Sequence, residues 1–314
     1  MVVKKIVFAI VCILLLCSFE KKNIVLTDNE YAGQIRRGLK SMLSQIDSKV
    51  EVGIEIVSLK NGQVLYTKNQ NALFNPASCV KLFTAASALG ILGPSFYFET
   101  TLSLDEKNNL YVRGSGDPEF SLANLESMID QLFLHHVNVI ENIILDTSAF
   151  DDVYEAPGIL RHSDDNESSL YSKLGALNIN HNCGNVWVLP TKKEETPRVV
   201  IAPLASDLKI QNLAKTSEKG LQLRVSKNET LSLLGNIGLD QEATHYFIPV
   251  DDPHQYFGRL VQETVQKKGI TIKGKVLQGE TPKQAKKIAT HKSSALPMLL
   301  FPMLKYSDMA GHVM

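Results

Sequence analysis

Residues 74–92 read Phe74-Asn75-Pro76-Ala77-Ser78-Cys79-Val80-Lys81-Leu82-Phe83-Thr84-Ala85-Ala86-Ser87-Ala88-Leu89-Gly90-Ile91-Leu92, and the fold turns on how this stretch is read. From Ser78 onward apolar residues fall on nearly every side of a helix, with no polar stripe for solvent, so the helix is predicted to lie inside a domain. Gly90, Gly93 and Pro94 bring it to an end. Ser78 and Lys81 form an S-x-x-K pattern, and a three-residue step puts both side chains on one helix face. A serine at a helix N-terminus sits in the positive end of the dipole, beside free backbone N–H groups that can hold a developing oxyanion. A lysine one turn later can take its proton if burial and nearby positive charge depress the amine's pKa. The spacing alone is a weak signal, since it recurs at Ser18/Lys21 and Ser206/Lys209. A helix-capping serine and a solvent-seeking lysine would give the same four letters.

Upstream, Val52, Ile54 and Ile56 alternate with polar or small residues, and Val64-Leu65-Tyr66-Thr67 returns after Lys60-Asn61-Gly62. That is a hairpin, with Asn61-Gly62 predicted to form a two-residue type I′ turn. Before it, Tyr31, Ile35, Leu39, Met42, Leu43 and Ile46 mark an amphipathic helix over 28–48. Downstream, residues 96–288 change to short strands, turns and a few helices. Residues 108–113 form a strand running into Gly114-Ser115-Gly116-Asp117-Pro118, residues 140–145 and 186–189 form further strands, and 255–267 is an amphipathic helix followed by Gly269-Ile270-Thr271-Ile272-Lys273-Gly274. The acidic run Asp164-Asp165-Asn166-Glu167 reads as a solvated loop, and His135-His136 as a surface pair.

The first residues read as an address. Lys4 and Lys5 precede an apolar run from Ile6 to Leu16, then a polar switch at Glu20-Lys21-Lys22. This is a secretory signal peptide over residues 1–18, so export to the periplasm or cell envelope is expected, with no stable membrane span after cleavage. Leu16 before Cys17 argues against a lipoprotein site, and Cys79 with Cys183 is too little for a disulfide framework. No C-x-x-C or H-E-x-x-H occurs, so neither a metal nor a cofactor is called for. The 314 residues suggest about two domains, and 44% hydrophobic content is ample for a core. Lys+Arg and Asp+Glu both total 33, a balance without the basic excess of a nucleic-acid binder. No internal stretch approaches the ~20 apolar residues that span a bilayer.

In the order of its segments the chain resembles the D-alanyl-D-alanine carboxypeptidases/endopeptidases of the class C low-molecular-weight penicillin-binding proteins, a serine acyl-transferase group sharing S-x-x-K, S-x-N and K-T-G. The likeness rests on Phe74-Asn75-Pro76-Ala77-Ser78, on Tyr111-Val112-Arg113-Gly114-Ser115-Gly116-Asp117-Pro118 and on residues 171–182. It continues through Asp252-Pro253, residues 269–274, His291-Lys292-Ser293 and Met303-Leu304-Lys305-Tyr306-Ser307-Asp308. It implies an α+β fold: a serine β-lactamase/penicillin-binding-protein-like transpeptidase domain, built from residues 19–95 and 289–314, interrupted by mainly-β inserted domains over 96–288. It also implies roles: Ser78 as acylated nucleophile, Lys81 as its base, and Ser307 as a relay towards the leaving amine. The implied partners are peptidoglycan stem peptides as substrate and β-lactams as covalent inhibitors.

The chain departs from the family pattern twice. Ser307-Asp308-Met309 stands where S-x-N is expected, and no K-T-G or K-S-G occurs in the 314 residues. The resemblance therefore implies a C-terminally truncated, incomplete catalytic domain with impaired turnover, and a sheet edge left open beside the hairpin. An alternative from another class is a non-catalytic exported protein that binds cell-wall peptide or a partner. A Ser-His-Asp hydrolase is a third, but Gly114-Ser115-Gly116 is not a G-x-S-x-G elbow.

Overall fold

A computed structural model of the chain describes residues 28–151, 173–203, 209–227 and 230–306. The signal peptide expected over 1–18, the acidic run 164–167 and Ser307 lie outside the described residues. The chain divides into two compact units between Val80 and Lys81.

The first unit holds helix α1 (Asp28–Leu43) and the antiparallel hairpin β1 (Ile54–Val57) and β2 (Val64–Lys68). Among the described residues β1 and β2 pair only with each other. The connection is wider than the two-residue turn that Asn61-Gly62 predicts. Ser58 N–H donates to Gln63 O (2.8 Å) and Gly62 N–H to Ser58 O (2.8 Å), closing a loop over 59–62. The Asn61 side chain accepts from Gln63 N (3.0 Å), an Asx contact that occupies this asparagine. Gly62 alone then takes the left-handed conformation, at φ 74°.

The second unit begins on helix α2 (Val80–Leu92) and continues through β3 (Glu99–Leu104), β4 (Leu110–Gly114), α3 (Leu122–Leu134), β5 (Val139–Ile140) and β6 (Ile143–Asp146). Then come β7 (Cys183–Leu189), β8 (Arg198–Ala202), β9 (Lys209–Asn212), β10 (Lys215–Ser217), β11 (Leu221–Lys227), β12 (Thr230–Gly238) and β13 (Thr244–Pro249). Helix α4 (Pro253–Lys267), β14 (Thr271–Ile272), β15 (Val276–Gln278), β16 (Lys286–Lys292) and α5 (Leu296–Tyr306) complete it. A five-stranded sheet in the order β15-β6-β4-β3-β16 is the main frame. Its strands β4, β6 and β15 run parallel, whereas β3 is antiparallel to both its neighbours.

Helices α3 and α4 cover one face of that sheet, because Leu102, Leu110, Val112, Ile143 and Leu145 point to the side where Leu125, Ile129, Phe257 and Val261 are buried. Both helices start where the sequence provides caps. Ser121 accepts from Asn124 N–H, and Asn124 Oδ1 accepts from Ser121 N–H (2.9 Å). Asp252 accepts from Gln255 N–H (2.9 Å), with Pro253 in the first turn, where a missing N–H costs nothing. A second module packs the sheet β13-β7-β8 against the sheet of β9 to β12 around Val186, Val188, Val225, Leu231, Leu233 and Ile248. Between the modules, Asn180, His181 and Asn182 are all left-handed, at φ 47°, 58° and 52°. Asparagine tolerates that region better than most residues.

Asp146, at the end of β6, ties this frame together. It is 2% exposed and accepts from Ser148 N–H (3.1 Å), Ser148 Oγ (2.6 Å) and Thr281 N–H (2.7 Å). Burial alone would raise its pKa, but the donors from Ser148 and Thr281 outweigh it and hold the carboxyl below its ordinary value of 3.8. A depressed folded pKa adds stability above the unfolded value, and that stability disappears as pH falls through the folded one. Asp146→Ala leaves two backbone donors without an acceptor, so a loss of about 2–4 kcal/mol is expected in urea denaturation at pH 7. The gap between variant and wild type should close on acidification below about pH 4. A constant gap would show that ionised Asp146 is not the source.

Candidate active site

The chain enters the S-x-x-K segment through a tightly bonded turn. Asn75 Oδ1 accepts from Ala77 N–H (3.0 Å) and Pro76 O from Cys79 N–H (2.9 Å). Ala77 to Cys79 form one turn of 3-10 helix, which Val80 N–H closes on Ala77 O. Ala77 sits at φ 43°, a left-handed conformation that costs a residue with a Cβ about 1–2 kcal/mol. Ser78 is the middle residue of the turn and is exposed, and Cys79 beside it is a half-buried free thiol. Lys81 is the second residue of α2 and is half-buried. The first turn of α2 carries no acidic residue, so nothing on it offsets the positive end of the helix dipole.

The helix itself corrects one expectation. It is apolar nearly all round, as read, but it is not enclosed. Of its residues only Ala85 is buried, while Phe83 and Ile91 are 72% and 81% exposed. All-round hydrophobicity states that a helix needs cover and says nothing of what supplies it. The cover present comes from α5, whose Leu296 and Leu300 pack on Ala85 together with Ala88, Phe96 and Met303. Ser307 follows α5 directly in sequence, outside the described residues.

The other quoted motifs act as staples. Ser115 Oγ accepts from Glu99 N–H (2.7 Å), tying the turn after β4 to the start of β3. Ser293 Oγ accepts from Phe98 N–H (2.9 Å) on the other side of that strand. A Cβ on Gly114 would lie 2.1 Å from Ala176 O, and Gly116 has φ 94°, so both glycines answer to backbone geometry. Asp117 is 1% exposed with Oδ2 3.3 Å from His291 Nε2, and burial pushes its carboxyl pKa up. Sequence reading treated these residues only as marks of resemblance. It missed Tyr97, Glu99 and Thr101; for Glu99 and Thr101 the one available signal is the alternation along β3. Among the described residues no group of three His, Cys, Asp or Glu could hold a metal, and no helix is long and apolar enough to cross a membrane.

Residues 35–311 match the model of the D-Ala-D-Ala carboxypeptidase 3 (S13) family. The chain belongs to this family. It is 27% identical over 284 residues to a D-alanyl-D-alanine carboxypeptidase of an Actinomadura species, covering 83% of this chain and 52% of the relative. It is 26% identical over 271 residues to the D-alanyl-D-alanine carboxypeptidase DacB of Haemophilus influenzae, covering 82% and 56%. The crystal structure of penicillin binding protein 4 (dacB) from Haemophilus influenzae superposes with a TM-score of 0.70 at 24% identity, over 86% of this chain and 62% of that one. The same protein complexed with a β-lactam gives 0.63. The family's α+β penicillin-binding fold is therefore the fold of this member, and the chain spans about half the length of the curated relatives it matches.

Proposed function

We propose that this family member is a serine-type D-Ala-D-Ala carboxypeptidase/endopeptidase, exported to the periplasm or cell envelope and acting on peptidoglycan stem peptides. The observation that carries this reading is Ser78, exposed in a strained turn that runs into α2, with Lys81 in the first turn of that helix. In this reading residues 19–95 and 289–314 share one catalytic domain and 96–288 form the insertion. The packing of α5 on Ala85 supports it.

The chemistry is an acyl transfer in two steps. Ser78 Oγ attacks the carbonyl carbon of the bond before the terminal D-alanine, and its proton passes to Lys81 Nζ. Backbone N–H groups at the helix start hold the oxyanion. Collapse breaks the C–N bond, the departing amine takes a proton relayed through Ser307, and D-alanine leaves. Water then hydrolyses the ester and restores the serine. A β-lactam would acylate the same oxygen, with the opened ring still attached.

These 314 residues hold no K-T-G, and Met309 stands where S-x-N has its asparagine.

Intact-mass measurement after incubation with a penicillin tests the reading. A single adduct should form, and faster at pH 9 than at pH 7, because the lysine must be unprotonated to take the serine's proton. Lys81→Met should slow it by about 10²–10⁴. No adduct at pH 9, or an adduct forming at the same rate in Lys81→Met, would overturn the assignment.

A further inference from the structure

The face of the five-stranded sheet opposite α3 and α4 carries a cleft of about 390 Å³, lined by Phe96, Tyr97, Glu99, Thr101, Arg113 and Ser115. Side chains alternate along a strand. Leu102 and Val112 are in the core, so Glu99, Thr101, Arg113 and Ser115 share the opposite face. Register places Thr101 directly across from Arg113, and Arg113 across from Asp146. Phe96, at one wall, also packs against the α2–α5 cluster. The cleft thus lies by the C-terminal end of α2, whose 13 residues rise about 20 Å from the end that bears Lys81.

The polar groups of this cleft are sorted by charge. Asp146, fixed by Ser148 and Thr281, stands 3.6 Å from Arg113 Nε and anchors one edge of the guanidinium. The Arg113 side chain is still 55% exposed, and among the described residues nothing else pairs with it. A guanidinium has five N–H donors in a rigid fork suited to a carboxylate. Glu99, the acid of the cleft, is met by Lys292 at 3.8 Å, and the Lys292 ammonium also bonds the Tyr97 hydroxyl and lies 4.0 Å from the centre of its ring. Ser115 Oγ already accepts from Glu99 N–H, which leaves its O–H to donate, and Thr101 adds a second hydroxyl. Phe96 supplies an apolar wall.

We infer that this cleft is a second peptide subsite, which holds the free carboxylate of a peptide on Arg113 while the peptide's amides meet Thr101 and Ser115. Its occupant rests on the proposed function: a cell-wall stem peptide is the carboxylate-bearing peptide such an enzyme meets. The inserted sheet then grips a piece of the wall beside the C-terminal end of α2, and its Arg is fixed on a strand, not a loop. A cleft of this volume falls in the usual range for small-ligand sites.

The test uses acetyl-Lys-D-Ala and its C-terminal carboxamide as probes, titrated into the Ser78→Ala chain and followed by amide hydrogen exchange. The acid should protect residues 96–101 and 113–115, and the carboxamide should bind at least about tenfold more weakly, as expected for loss of a charge-assisted pair. Arg113→Gln should weaken the acid by a similar factor. Arg113→Lys, which keeps the charge opposite Asp146 but not the fork, should fall between them, and this excludes loss of folding as the cause. Equal binding of acid and carboxamide, no binding at millimolar peptide, or protection confined to 78–92 overturns the inference. Penicillin labelling of Ser78 in the unsubstituted chain, read beside peptide binding by the Ser78→Ala chain, separates the two readings. Labelling without cleft binding removes only the subsite, and cleft binding without labelling removes only the catalytic assignment.

Discussion

Ser78→Ala is expected to abolish covalent labelling by a penicillin completely while leaving the folded state unchanged. Among the described residues no hydrogen bond uses the Ser78 hydroxyl, and the side chain is exposed in its turn. The turn is held by Asn75 Oδ1 and Pro76 O, neither of which the substitution touches. Its stability cost should therefore stay within about 0.5 kcal/mol, the range of surface changes away from special features. A capping serine would behave in the opposite way, since losing a cap costs about 1 kcal/mol and leaves reactivity elsewhere unaltered. Thermal denaturation and intact-mass labelling on the same sample separate the two. Cys79 is the internal control, being a free thiol one residue along the same turn. An adduct that persists in Ser78→Ala and maps to Cys79 would assign the nucleophile to sulfur, and one that maps to neither would place the chemistry outside this segment.

What could be read in the sequence was local. The helix after Ser78, the hairpin before it and the amphipathic α4 are written in nearest-neighbour terms: periodicity, a Pro-capped start, Gly and Pro at the end. The turn between β1 and β2 is not legible in sequence because Asn61 has two uses, as a left-handed residue or as an Asx acceptor, and only the register of the closed loop chooses between them. The Arg113 cleft was invisible for a different reason. Its lining is brought together by β3 and β4 lying in register, and the arginine is fixed by Asp146 from a third strand, 33 positions on. Burial of α2 could not be read either, since composition reports demand for cover and not its supply. For Ser78 and Lys81 the sequence supplied the pair, and the structure adds the strained turn and the exposure.

Ala85→Asp should unfold the α2–α5 pair alone and with it slow acylation sharply. Ala85, Leu296 and Leu300 are the buried residues of that pair, whereas twenty buried residues make up the core beneath the five-stranded sheet. Burying a Leu side chain supplies about 1.5–3 kcal/mol, so this small cluster has at most a few kcal/mol with which to host a carboxylate. A buried charge without a partner costs at least as much. The helices should separate instead, in the manner of a low-stability unit that opens without the rest of the molecule. Hydrogen exchange would then show residues 80–92 and 296–306 losing protection while β3, β4, β6, α3 and α4 keep theirs. Lys81 loses its fixed place on α2, and labelling of Ser78 slows about as much as in Lys81→Met even though the turn of residues 75–79 is untouched. Ala85→Ser, which adds a hydroxyl at the same point without a charge, should cost about 1–3 kcal/mol and leave measurable labelling. Protection of α2 undiminished in Ala85→Asp would show that the helix draws its support from something other than α5. Labelling undiminished after the helix had opened would show that acylation does not need Lys81 held on it.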